Sequence, residues 1–251
     1  MIKAVAWDID GTLVDSEPLH LKSLMLVCKK YNIDISDLPD EYFIGVNLYG
    51  VWKELRKRFP TSLKFDEWAD QINSFYFANS STLTITPYAL EVINELHILG
   101  VMQAAVSNSN RSVVDINLDA LGVSKILNFS LSLDDVKKGK PDPTPYKIAA
   151  KNLGLKPYEI LAVEDSISGI ISAQKAGLMV AAVNVRGNLD KPADFSITSL
   201  KEMINLITKK KFTLHLKVHI FHLSTFSLMY HQYQPVTTIS RKLFDMGQVY
   251  T

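Results

Sequence analysis

The 251-residue chain has a single cysteine, Cys28, so no intrachain disulfide can form, and a reducing compartment suits it. It also lacks any apolar run approaching the ~18 residues of a membrane-spanning helix, and its N-terminus enters a strand pattern with no signal-peptide arrangement. These absences predict a soluble, cytoplasmic protein. Net charge is scarce too: a formal +1 at pH 7 offers no footprint for nucleic acid or for an anionic membrane surface. That small total hides an asymmetry, because residues 209–251 carry six Lys or Arg against one acid, a net of +5, while residues 1–208 sum to −4. With 47% hydrophobic residues the chain can build one large domain, or one domain carrying a smaller insert.

What is present starts at the N-terminus. Ile2 to Trp7 is a short apolar run rich in alanine and valine that reads as a buried strand. It ends at two aspartates one residue apart, Asp8 and Asp10, followed by Gly11, which permits a tight turn. In an open α/β sheet ligands bind beyond the carboxyl ends of the strands, so two acids there point to a site. Asp-x-Asp-Gly also opens calcium loops, but Leu13 follows where oxygen ligands should continue and Glu17 is followed by Pro18, so that reading is set aside.

Ser16-Glu17-Pro18 resembles a helix start, and Leu21, Leu24, Met25, Cys28 and Tyr31 then recur at helical spacing, which makes Cys28 a small buried hydrophobe. Val51, Trp52, Leu55 and Phe59 mark a second helical segment, and Phe65, Trp68, Ala69, Ile72, Phe75 and Tyr76 a third. No strand pattern appears between about 16 and 85, so this stretch predicts an all-helical insert. Beyond it, a helix from Thr86-Pro87 to Gly100, a strand over 101–106, a helix over about 111–121, a weaker strand over 126–131 and a helix over 146–153 follow in order. The series continues with a strand over 160–163, a helix over 167–176 and a last strand over 179–183. Strands alternating with helices at this spacing predict an α/β, doubly wound, Rossmann-like core with a parallel sheet covered on both faces.

Three strand ends carry polar groups suited to one reaction: Asp8 and Asp10, then Ser107 and Asn108, then Glu164 and Asp165, with Lys140 on a loop between. Taken singly, Ser107-Asn108 is an ordinary turn and a lysine in a Lys-rich loop is ordinarily solvated. Taken together along one sheet edge, they make a cluster of carboxylates with one cation. Such carboxylates repel, so a hard divalent cation is the simplest way to hold them together, and magnesium bound by one or two carboxylates plus phosphate oxygen fits.

The runs Asp8-Ile9-Asp10-Gly11-Thr12-Leu13-Val14-Asp15-Ser16-Glu17, Val106-Ser107-Asn108-Ser109, Lys140-Pro141-Asp142-Pro143 and Val163-Glu164-Asp165-Ser166 with Gly169 resemble the four ordered motifs of the haloacid dehalogenase superfamily. The helical insert after the first motif resembles the branch containing β-phosphoglucomutase and many small-metabolite phosphatases. This resemblance implies a core of 1–15 and 86–208, a helical cap of 16–85 and an atypical tail of 209–251. It implies that Asp8 attacks phosphorus to form an aspartyl-phosphate, and that Asp10 protonates the departing alkoxide and then activates water. Magnesium is expected on the Asp8 carboxylate, the Asp10 carbonyl and Asp165, with Glu164 as ligand or supporting partner. Ser107, Lys140 and backbone N–H groups near Ile9 and Asn108 would neutralise phosphoryl oxygens, and Thr12 would orient Asp10.

A second acid two residues after the first argues for phosphoryl transfer, because the superfamily's dehalogenases and phosphonate-cleaving members do without it. The expected partner is a small phosphate ester of the sugar- or polyol-phosphate type. Mutases of the branch share a histidine at the position of His20, which here reads equally as a helix-surface residue. Those mutases also carry cap residues that grip a second phosphate, and Phe43 to Tyr49 and Asp66 to Ser81 contain no Lys or Arg. A phosphatase is therefore expected, with a sugar-phosphate mutase and a non-catalytic binding or regulatory protein as alternatives. Oligomeric state is left open.

In the tail, Phe212, Leu214, Leu216, Val218 and Ile220 alternate with Thr213, His215, Lys217 and His219, a strand pattern with one apolar face. His215, His219 and His222 do not share a face on such a strand, and no acid or cysteine joins them, so a metal site is not inferred. An added edge strand, a partner-binding strand or an end unrelated to the core remain open.

Overall fold

The computed structural model describes residues 1–39, 42–43, 46–185 and 191–208. The tail strand expected over 212–220 lies outside the described residues. In chain order the elements are β1 (Ala4–Trp7), β2 (Val14–Asp15), α1 (Glu17–Lys30), α2 (Leu48–Leu55), α3 (Phe65–Ala78), β3 (Thr84–Ile85), α4 (Ala89–Ile98) and β4 (Met102–Val106). They continue with α5 (Arg111–Leu121), β5 (Phe129–Leu131), α6 (Thr144–Leu153), β6 (Ile160–Glu164), α7 (Ile167–Ala176), β7 (Met179–Val183) and β8 (Phe195–Ile197).

Six strands form a parallel sheet in the order β5-β4-β1-β6-β7-β8, which puts the first strand in the interior. Parity along each strand divides the core into two layers. Val5, Trp7, Ala105, Leu161 and Val163 pack with Val92, Ile93, Leu96, Val114 and Leu118 of α4 and α5. Ala4, Ala6, Ala104, Ile160 and Ala162 pack with Tyr146, Ala149, Ile170 and Ala173 of α6 and α7. The alanines of this second face leave room for helices to lie close, and burial on both faces explains why β1, β4, β6 and β7 read as near-continuous apolar runs. Each fully buried aliphatic side chain here contributes about 1.5–3 kcal/mol.

The expectation that the strand over 179–183 is the last is corrected by β8, which pairs with β7 through Ala181–Phe195 to Val183–Ile197. With only three residues, of which Ile197 alone is buried, it offers no apolar run to read.

β2 and β3 pair antiparallel, Val14 opposite Ile85 and Asp15 opposite Thr84, so the two chain crossings into the helical cap run side by side as a short ribbon. Between them α1, α2 and α3 close around their own core of Leu24, Val27, Cys28, Val51, Trp52, Leu55, Phe59, Trp68 and Ile72. Met25, assigned to the apolar stripe from spacing, is 50% exposed, and Leu19 takes a buried place on α1 instead. Among the described residues no helix is long and apolar enough to cross a membrane.

Candidate active site

Register fixes the site before any side chain is considered. Trp7 lies opposite both Ala105 and Val163, so β4, β1 and β6 end at one level and the residues that follow converge. The ladder runs one residue further through the Asp8 N–H, which donates to the Val163 carbonyl at 3.0 Å. Parity puts Asp8 in line with Ala4 and Ala6, and Glu164 in line with Ile160 and Ala162, on the face covered by α6.

Lys140 reaches this face from its loop and is buried, its ammonium 2.6 Å from Asp8 Oδ1 and 2.5 Å from Glu164 Oε1. The solvated-lysine alternative is thereby excluded. The Asn108 carboxamide clamps the Lys140 backbone, accepting from its N–H at 2.7 Å and donating to its carbonyl at 3.0 Å. Asn108, expected near the phosphate, thus spends its side chain holding the lysine loop. The Tyr146 hydroxyl, on α6, donates to Glu164 Oε1, and Ser166 Oγ donates to Glu164 Oε2 at 3.3 Å. Gly169 in the first turn of α7 makes space for that carboxylate, since a Cβ there would stand 1.8 Å from Glu164 Oε2.

Asp165 lies beside this pair, and its position depends on Gly11. A Cβ on Gly11 would meet Asp165 Oδ2 at 2.2 Å, and the φ of +81° independently favours glycine. Thr12 Oγ1 donates to Asp165 Oδ1 at 3.3 Å, so the expectation that Thr12 orients Asp10 is corrected: the buried hydroxyl faces the other acid.

Asp8, Glu164 and Asp165 each offer an oxygen within 4.8 Å of the others. Burial, then the Glu164 charge, pushes Asp8 up to about 7 against the pull of Lys140, and burial with the Asp8 charge pushes Asp165 up to about 7. Burial raises Glu164 as well, against the pull of Lys140. For Lys140 burial acts to lower the ammonium, but the charges of Asp8 and Glu164 outweigh it and hold it above its ordinary value. Three carboxylates thus gather beside one ammonium, which bonds two of them, Asp8 and Glu164. This oxygen-only, charge-deficient set fits a hard divalent cation such as magnesium.

Asp10 sits in a different environment. Its Oδ1 accepts from Ser16 Oγ at 2.7 Å and Asn117 Nδ2 at 2.9 Å, with His20 Nε2 at 3.4 Å. Its Oδ2 accepts from Ser107 Oγ at 3.0 Å and Ser109 Oγ at 2.8 Å. Burial acts to raise this carboxyl, but the His20 contact and the Ser16 and Ser109 hydroxyls hold it well below the usual carboxylate range. Ser16 therefore does not cap α1 with its side chain, as the helix-start pattern suggested; its hydroxyl serves Asp10. His20 belongs to the site, its ring stacked on Tyr76 with centroids 4.4 Å apart.

Sequence reasoning did not single out Ser109, Asn117, Tyr146 or the hydroxyl of Tyr76. Asn117 left a signal, being a polar residue inside the stripe of Val113, Val114, Leu118 and Leu121 on α5.

A doubly wound sheet whose central strand ends in paired aspartates, a lysine and further acids under a helical cap defines a class of hydrolases that act at a carboxylate-rich sheet edge. The chain belongs to the haloacid dehalogenase-like hydrolases, whose family model matches residues 5–183. It is 30% identical to pyrophosphatase PpaX of Oceanobacillus iheyensis over 72% of this chain and 83% of that one. It is 26% identical to hexitol phosphatase A of Escherichia coli over 80% of this chain and 93% of that one. A solved structure described as a predicted phosphoglycolate phosphatase from Haemophilus somnus superposes with a TM-score of 0.73 at 23% identity, over 82% of this chain and 98% of that one.

Proposed function

We propose that this enzyme is a magnesium-dependent phosphatase that hydrolyses a small phosphorylated metabolite, of the sugar- or polyol-phosphate type, through an aspartyl-phosphate. The observation that carries the reading is the contrast between two carboxylates two residues apart. Asp8 stands in a charge-deficient cluster with Lys140 at 2.6 Å, while Asp10 is held by donors on both oxygens. Unlike environments of this kind give two carboxylates different roles, and a cation bound at the Asp8 cluster would hold that carboxylate ionised as the nucleophile. The phosphatase names of relatives such as hexitol phosphatase A support the substrate class.

In this reading an Asp8 oxygen forms a bond to phosphorus as the ester P–O bond breaks, and Asp10 gives its proton to the departing oxygen. Asp10 then takes a proton from the water that attacks the aspartyl-phosphate, releasing inorganic phosphate and regenerating Asp8. The five groups around Asp10 favour its ionised form, so proton uptake needs a change there. A phosphate that recruits Ser107 removes one donor from Oδ2 and brings negative charge close, and both effects raise the acid. Lys140, anchored by Glu164 and Tyr146, neutralises phosphoryl oxygen. The Asp8 and Asp165 carboxylates with the Asp10 carbonyl would hold magnesium, which offsets charge on the transferring group. Glu164 is primarily the anchor of Lys140. Residues 1–15 and 86–208 form the catalytic core and 16–85 the cap, hinged at the β2–β3 ribbon.

The test is a panel of phosphorylated metabolites with magnesium, run beside Asp8→Asn. Phosphate release from at least one sugar or polyol phosphate is expected, falling on the order of 10⁴-fold in the variant. Retained turnover in Asp8→Asn would overturn the covalent route, and no hydrolysis across the panel would favour a binding or regulatory protein. A mutase is the second reading, supported by His20 beside Asp10. Product analysis on a hexose 1-phosphate, with and without a sugar bisphosphate, separates the two.

A further inference from the structure

We propose that Asn117 and Tyr76 are positioning residues for the Asp10 carboxylate, and that Tyr76 delivers this positioning from the cap. The proposal rests on the reading of Asp10 as acid and base. Asn117 is fully buried on α5, on a face otherwise formed by Val113, Val114, Leu118 and Leu121. A buried amide on an apolar helix face is costly unless each of its groups is bonded. Here both are: Nδ2 donates to Asp10 Oδ1 at 2.9 Å and Oδ1 accepts from the Tyr76 hydroxyl at 2.7 Å.

These partners fix the amide's orientation. An ionised carboxylate can only accept, so the NH₂ end must face Asp10, and the carbonyl end then faces a hydroxyl that donates. Rotating the amide by half a turn would set carbonyl against carboxylate. The Tyr76 hydroxyl disfavours that rotation, because it has its own proton to place.

Tyr76 touches a second neighbour of the same carboxylate oxygen. The His20 ring, whose Nε2 is 3.4 Å from Asp10 Oδ1, stacks on the Tyr76 ring at 4.4 Å between centroids and 24° between planes. One side chain of α3 therefore supports two of the three groups around Oδ1. It also packs with Leu19 of α1 and Val113 of α5, a small apolar cluster at the seam between cap helices and core. Separating α3 from α5 would break the hydroxyl contact, while the stack, made between α3 and α1 within the cap, would stay with the cap. Seating of the cap thus sets the orientation of the Asp10 carboxylate through Tyr76.

The experiment compares Tyr76→Phe and Asn117→Leu with the unaltered enzyme in magnesium, on two aryl phosphates. Phenyl phosphate needs a proton on its departing oxygen, whereas 2,4-dinitrophenyl phosphate releases a stable anion without one. The rate of the first leaving-group release is followed before steady state. Tyr76→Phe keeps the ring and its stack, so it should fold even if Asn117→Leu does not. Expected is a fall of about tenfold on phenyl phosphate, with KM within about twofold and release from 2,4-dinitrophenyl phosphate unchanged. Equal losses on both substrates, or a rise in KM alone, would overturn the proposal. Asp10→Asn is run in parallel: if it fails to discriminate the two substrates, the acid role falls and the proposal falls with it. If Asp10→Asn discriminates and Tyr76→Phe does not, only the positioning role is lost.

Discussion

At the carboxyl edge of the sheet, Asp8, Glu164, Asp165 and Lys140 gather within a few ångströms of one another, and Asp10, two residues after Asp8, is held by its own set of hydrogen bonds. In the cap, Trp52 stacks on Phe59 at 4.2 Å and lies 5.5 Å from Trp68, and the core there is apolar. The edge is assembled from distant parts of the chain: Asp8 and Glu164 face the Lys140 ammonium, while Asp10 is held by hydroxyl and amide donors. The cap is built from three neighbouring helices whose stability is additive packing. Chemistry is therefore encoded in a few residues that cannot move independently, and the cap can vary in sequence as long as its volume is kept. The Tyr76 and Asn117 contact is where the two regimes meet.

The largest break in this contrast is expected at Lys140. Lys140→Met keeps the length of the side chain but removes the ammonium between Asp8 and Glu164. Turnover should fall on the order of 10²–10³-fold, the usual effect of losing one charged stabilising group. Stability should fall by about 3 kcal/mol at neutral pH, because two buried carboxylates lose their partner. Urea midpoints and kcat measured on one preparation check both, and a variant that is inactive yet as stable as the parent would contradict the account of the cluster.

Trp52→Ala tests the other side. The side chain is buried against Phe59, Phe65 and Trp68, so its loss should cost about 3–5 kcal/mol, comparable to or above the Lys140 penalty. Turnover of the folded fraction on a small aryl phosphate should stay within about twofold, since no group at the edge loses a partner. A kcat loss matching that of Lys140→Met would show that the cap core and the edge are one mechanical unit.

The same contrast accounts for what could be read from sequence. The alternation of strands and helices, and α7 and β7 to the residue, followed from apolar runs and glycine stops, because burial on both sheet faces leaves strong local patterns. Asp8, Asp10, Glu164 and Asp165 stand out because parallel topology sends strand ends to one edge, and Lys140, on a loop, stands out only beside them and through the resemblance to the superfamily's ordered motifs. Residues whose role is set by a partner far along the chain did not stand out. Tyr76 reads as one more apolar position on α3, and its hydroxyl gains meaning only from Asn117, 41 residues on. Thr12 was paired with the wrong acid for the same reason: Asp165, its partner, is 153 residues away. β8 was missed because a three-residue edge strand with one buried side chain has no period to detect.

The smallest expected effect separates the two regions by pH. Asp8 and Asp165 are pushed up to about 7 by burial, well above the ~4 of an unfolded aspartate. Below pH ~4 both are neutral in either state and cost the fold nothing. As pH rises from there to about 7, the unfolded chain releases these protons first, so the edge loses stability across that interval and reaches a plateau above it. The acids that would hold magnesium are then ionised, and metal binding no longer competes with protons. Saturating magnesium should therefore raise Tm by about 5 °C at pH 8 and only about 1 °C at pH 5.5, in line with ~2–4 °C per kcal/mol for a domain of this size. Lys140→Met should alter this magnesium response, whereas Trp52→Ala should lower Tm equally at both pH values and leave the gain from magnesium in place. A magnesium response in the parent that is the same at both pH values would mean that the raised acids are not the ones that meet the metal.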